Sequence, residues 1–137
     1  MGILRKILSL LWPPAPATAP PPQVGSDRLH LFSGHFRSEE TAMSYCYDTP
    51  DDNHPEPLTR DLADAYIDTN FVEVAFGGRA QHALHLILPA NEIDAMNDRR
   101  GEDNTLVMIS EAAFGGLPYT LNDTPTLRYL GAFTISS

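Results

Sequence analysis

Apolar and polar positions alternate along Leu29–Phe32, and Ser33-Gly34 breaks the run, so the chain predicts a first strand there. Ser38 is placed to cap a helix whose first turn carries Glu39 and Glu40, where the helix dipole favours carboxylates. That helix runs through Ala42, Met43 and Tyr45–Tyr47 and gathers Ala42, Tyr45 and Cys46 on one side. Asp48–Pro57, with four carboxylates and three prolines, reads as a loop. Leu58, Leu62 and Tyr66 then fall at i, i+4 and i+8, which predicts a second helix from about Leu58 to Tyr66. Asn70–Phe76 returns to a period of two, with Val72, Val74 and Phe76 on one face and Phe71, Glu73 and Ala75 on the other.

Gly77-Gly78 ends that strand, and Ala80, Ala83, Leu84, Ile87 and Leu88 restore helical spacing until Pro89. A short helix is expected over Asn91–Asn97, followed by a charged turn at Asp98–Asp103. Leu106–Ile109 is apolar without interruption, as a central strand buried on both faces should be. Gly115–Pro118 and Asp123–Pro125 are turns, and Leu127–Ile135 is the last strand. Strands and helices mix without regular βαβ alternation. The expected class is α+β, with a mainly antiparallel sheet of about four to five strands, helices packed on it, and a single domain.

Composition adds a boundary. Six of the twelve prolines lie between positions 13 and 22. Residues 13–26 therefore read as an extended Pro/Ala-rich linker between a leader, residues 1–12, and the folded domain, residues 27–137. The leader sets Ile3, Leu4, Ile7, Leu8 and Leu11 against Arg5, Lys6 and Ser9, an amphipathic stripe suited to contact with a membrane surface. As a helix it would span only about 15–18 Å, too short to cross a bilayer. A cleaved export signal and a passive tail are the other readings of the same residues.

Charge narrows the partner class. The net charge is −9, and all eighteen carboxylates follow residue 26. Setting aside Arg5 and Lys6 leaves seven arginines against those eighteen, or −11 for the domain. Such a field repels nucleic acid and anionic membrane and attracts basic protein surfaces or cations. Asp48, Asp51, Asp52, Glu56, Asp61, Asp64 and Asp68 crowd one stretch in which Arg60 is the only arginine or lysine.

Catalytic signatures are sparse. His82 and His85 stand one helical turn apart and could share a metal, making a metal-dependent hydrolase the alternative reading. His35, His54 or Glu92 could complete such a site only through the fold. Cys46, the single cysteine, sits between Tyr45 and Tyr47 on an apolar helix face and reads as a buried structural thiol. Asp51-Asp52 lacks the spacing and the glycine of an EF-hand loop. Glu73, mid-strand between Phe71 and Ala75, needs an arginine or several donors if its face is covered. No catalytic residue, metal site or cofactor is assigned.

Several segments in order resemble the immunity protein 22 family of bacterial polymorphic toxin systems. They are Phe32-Ser33-Gly34-His35-Phe36 with Ser38-Glu39-Glu40, the helix ending at Tyr66, and Asn70-Phe71-Val72-Glu73. Asn104-Thr105-Leu106-Val107 and Leu127-Arg128-Tyr129-Leu130-Gly131-Ala132-Phe133 complete the series. The likeness covers roughly residues 29–135, and Phe32 stands where that family usually has tryptophan. It implies a non-enzymatic cytoplasmic antidote that binds a cognate toxin protein and no nucleic acid. The leader and linker fall outside this likeness; on its own residues the leader reads as a tether to the inner membrane surface, and a membrane-tethered adaptor is a further alternative. Many such toxins are nucleases with basic substrate grooves, which a carboxylate-rich face could occupy. The expected contact face is Asp48, Asp51, Asp52, Glu56, Asp61, Asp64 and Asp68 with Tyr45 and Tyr47. Phe76 and Tyr119 are further aromatic candidates.

Overall fold

β1 (Arg28–Gly34) is an inner strand, hydrogen-bonded along both edges, and both of its faces are covered as well. From Leu29 onward every residue of it is buried. A computed structural model describes residues 28–135; the leader and linker readings lie outside the described residues. α1 (Glu39–Tyr47) follows β1, and Ser38 caps it by accepting a hydrogen bond from the Thr41 amide at 3.1 Å. The chain continues through α2 (Pro57–Asp61), a 3-10 turn (Thr69–Phe71) and β2 (Val72–Phe76). Next come α3 (Gly78–Ile87), α4 (Ala90–Arg100), β3 (Thr105–Ser110), a second 3-10 turn (Glu111–Phe114) and β4 (Leu127–Thr134).

The four strands form one antiparallel sheet in the order β2-β3-β1-β4. Both partners of β1 thus come from the C-terminal half of the chain. β3 is the other inner strand and is buried at all six positions, as its unbroken apolar run requires. α1 and α3 pack against β2, and α4 packs against β4. The expected α+β class and antiparallel sheet are what the chain forms.

A β-bulge interrupts the β1–β4 ladder: Leu31 pairs with Gly131 and Phe32 with Tyr129, leaving Leu130 as the extra residue. Gly131 takes φ +121°, which a side chain would resist. Arg99 serves the carbonyls at this irregularity. Its guanidinium donates to the Leu130 oxygen at 2.6 Å and to the Tyr129 oxygen at 3.3 Å. On the opposite edge strand the Tyr47 hydroxyl donates to the Val72 carbonyl at 2.6 Å. Each edge strand thus has carbonyls occupied by a side chain, one way of blunting a sheet edge.

Three local expectations fail. The second helix stops at Asp61, not Tyr66. Leu58 and Leu62 are buried, but the chain turns after Asp61 and leaves Tyr66 57% exposed. Phe71 belongs to the 3-10 turn before β2 and not to the strand, so it too faces out. α4 continues to Arg100, where Gly101 at φ +57° ends it, so Asp98–Arg100 is helix and not turn. Arg99 and Arg100 then occupy the last turn, next to the helix's unpaired carbonyls.

Candidate interaction site

Asp48, Asp51 and Asp52 are exposed on the loop that follows α1. Asp48 accepts the Ser44 hydroxyl at 2.8 Å, which fixes its carboxylate at the C-terminal end of α1. Asp51 closes the loop on itself, accepting from the Asn53 amide and from His54 Nδ1 at 2.7 Å. The His54 contact, then the Asn53 amide, hold the Asp51 carboxyl below its ordinary range. Glu56 accepts the Thr59 hydroxyl, and Asp68 accepts the Asn70 amide at the first 3-10 turn. Asp64 is exposed. The exposed carboxylates of the acidic stretch therefore lie on one loop and on the segment after α2, whereas Asp61 on α2 has only 13% of its side chain exposed and is taken up by Arg60 and the Tyr45 hydroxyl.

The two tyrosines expected on this face are committed elsewhere. Tyr45 is buried against Phe36, and its hydroxyl donates to Asp61 Oδ2 at 2.7 Å. Burial first, and then that carboxylate, push its phenol well above the ordinary range. Tyr47 is half-buried with its hydroxyl on Val72, and burial raises its phenol likewise. Only the flank of Tyr45 reaches the surface, where it helps line an open groove of about 500 Å³. Phe36, Pro50 and Pro57 contribute apolar walls to that groove, and Asp48 stands on it. A smaller polar cleft of about 240 Å³ lies beside the start of β4. There the buried Ser33 hydroxyl donates to Asp103 Oδ2 at 2.6 Å, and Arg128 stands 3.6 Å from the same oxygen.

The sequence places His30 only in a strand, yet among the described residues it centres the most connected polar cluster. It is 1% exposed. Its Nε2 lies 2.8 Å from Glu111 Oε1, and its Nδ1 lies 3.0 Å from the Tyr129 hydroxyl. A carboxylate only accepts, so Nε2 carries the proton and Nδ1 accepts from Tyr129. Tyr119 donates to both Glu111 oxygens at 2.8 Å and stacks on Phe114 at 3.9 Å between ring centroids. Desolvation lowers the His30 pKa despite the neighbouring carboxylate. At Glu111, burial works upward, but the hydrogen bonds from His30 and Tyr119 win and hold the carboxyl below its ordinary value. Burial and the same carboxylate push the Tyr119 phenol up to about 12.

The cluster ties the second 3-10 turn to β1 and β4, and it sets a pH dependence. Unfolded, His30 binds a proton near 6.5; folded, it does so only at lower pH. Between those two values the unfolded chain holds more protons, so stability falls as pH falls. Glu111 adds the same sign below its ordinary 4.5. The urea midpoint should decrease from about pH 7 to about pH 5, and H30Q should lose that part of the slope. Equal slopes for the two proteins would show that His30 does not carry the effect.

The remaining candidates stay apart. His82 and His85 are both exposed on α3, and His85 Nε2 accepts from the Gln81 amide at 3.2 Å. His35 Nδ1 donates to the Glu102 carbonyl at 3.3 Å. Among the described residues no three His, Cys, Asp or Glu side chains are grouped to hold an ion. Cys46 is fully buried, and desolvation raises its thiol far above the ordinary range, which keeps it protonated. Glu73 is 3% exposed within β2, so the strand face that it shares with Ala75 is covered. No helix among the described residues is long and apolar enough to cross a membrane. No family model, curated protein or solved structure matches this chain.

Proposed function

We propose that this protein is a non-enzymatic immunity protein of the cytoplasm that binds and neutralises a cognate bacterial toxin domain through its acidic face. The toxin is basic, as a nuclease with a phosphate-binding groove would be. One observation carries the reading: exposed Asp48, Asp51 and Asp52 crowd a loop whose edge is an apolar groove, with Arg60 the only arginine or lysine in residues 48–68. Carboxylates around an apolar concavity supply both parts of a protein interface. The charges steer a basic partner in, and the groove gives its side chains a dry contact. The ordered resemblance over residues 29–135 supports the same reading.

Co-expression tests it. Cells making the toxin domain encoded by the neighbouring gene should survive when this chain is co-expressed, and the two proteins should co-purify. Unrelieved toxicity with no complex for any neighbouring product would remove the reading.

A further inference from the structure

Tyr66, Phe71 and Leu117 are the large apolar side chains that the described fold leaves out, at 57%, 42% and 54% exposed. Single exposed apolar residues are ordinary, so exposure alone says little. Their placement says more. The segments that carry them are tied to one another at one end of the sheet. The Asp68 amide donates to the Ala113 carbonyl at 2.8 Å, and the Thr120 amide to the Asp64 carbonyl at 3.1 Å. The Ser110 hydroxyl donates to the Phe71 carbonyl at 3.3 Å. A Cβ built on Gly115 would stand 3.4 Å from the Tyr66 ring, so that ring lies over the turn leading to Leu117.

None of these three side chains belongs to the buried core or to the apolar residues packed against it. Tyr66 follows the end of α2, and Phe71 precedes β2. Leu117 lies in the loop before β4, with its backbone amide already bonded to the Phe114 carbonyl. The neighbouring charge is one-signed. Residues 61–71 and 111–121 hold Asp61, Asp64, Asp68 and Glu111 and no arginine or lysine. Arg28, at the start of β1, is the cation whose charge reaches Glu111 and Tyr119.

We infer that Tyr66, Phe71 and Leu117 form the apolar anchor on which a basic protein partner docks, flanked by Asp64 and Asp68. The inference rests on the proposed toxin-binding function and moves its energetic centre. Tyr45 and Tyr47 are turned inward, so the aromatic contacts that dominate most interfaces come from the far end of the acidic stretch. The partner is a folded basic domain presenting an apolar side chain between lysines or arginines. A purely apolar surface would have no use for Asp64 and Asp68.

The test uses the full chain and the neighbouring gene's toxin domain in a surface-binding assay, with wild type, Y66S/F71S/L117S and the milder L117S. All three positions are exposed, so the thermal midpoints should stay close to wild type. The triple variant should bind at least about tenfold more weakly, chiefly through faster dissociation, and L117S should fall between. Wild-type binding that the triple variant retains unchanged overturns the anchor while leaving the toxin-binding function standing. Absence of wild-type binding overturns both. A wild-type dimer that the triple variant converts to monomer assigns the patch to a second copy of this chain and also overturns the inference.

Discussion

Replacing Phe32 by alanine should cost roughly 3–5 kcal/mol of folding stability, the range for emptying a fully buried aromatic site. Phe32 is completely buried on the inner strand β1, opposite Val107 of β3 and Tyr129 of β4. Its ring lies 4.9 Å from that of Tyr129, whose hydroxyl in turn serves His30. The loss therefore opens a cavity on the inner strand that joins β3 to β4. At a urea m-value of about 1.5 kcal/mol per M, the midpoint should fall by roughly 2–3 M. Phe71→Ala is the contrast: that ring is exposed and outside the strand, so its change should stay within about 0.5 kcal/mol. Similar losses at the two positions would mean that the strand boundary at Val72 is wrong.

Gly34→Ala should destabilise by about 1–3 kcal/mol, the cost of overpacking. Removing a glycine from a strand normally helps by lowering the entropy of the unfolded chain. Gly34 is an exception because of what surrounds it. An added Cβ would meet Leu127 Cδ2 at 2.8 Å, the Thr126 carbonyl oxygen at 2.9 Å and Phe36 Cε2 at 3.2 Å. A leucine tip can rotate away, but a backbone carbonyl moves only with the start of β4. Thr126, just before β4, also lines both the apolar groove and the polar cleft, so the groove should change shape together with stability. Gly78→Ala provides the opposite sign. Gly78 opens α3 with nothing within 4 Å of the new atom, so the variant should gain about 0.4–1 kcal/mol. Denaturant midpoints for the two variants should move in opposite directions.

Elements with a local cause were legible in the sequence. Ser38 and the two glutamates after it set the start of α1, and the unbroken run Leu106–Ile109 identified an inner strand because only burial on both faces tolerates it. The failures came where distant contacts decided. Leu58, Leu62 and Tyr66 have helical spacing, but the 3-10 turn that carries Phe71 is tied back to Ala113, and the segment turns to reach it. Tyr45 shares a helix side with Ala42 and Cys46, which argued for burial over a place on the contact face, but its hydroxyl's acceptor was not legible because Asp61 lies sixteen positions away on another element. His30, Glu111, Tyr119 and Tyr129 are separated by up to 99 positions, beyond any periodicity. The alternation read along Leu29–Phe32 places His30 on the polar face, and burial of that face, where Phe114 and Tyr119 pack on the imidazole, is what obliges His30 to find partners. The acidic stretch was legible as composition. Its division into a loop closed by Asp51, a groove at Asp48 and an apolar end at Tyr66 was not, since each depends on where the chain turns.

The most direct measurement is the association rate of the full chain with the neighbouring gene's toxin domain, for wild type and for D48N/D52N/D64N, at low and high salt. An acidic face that captures a basic domain predicts a complex whose wild-type association slows at least about tenfold as salt rises from about 50 to about 500 mM. The variant should associate slowly at both salt concentrations and still fold. No complex, or a complex whose association ignores both salt and the three substitutions, would contradict the account.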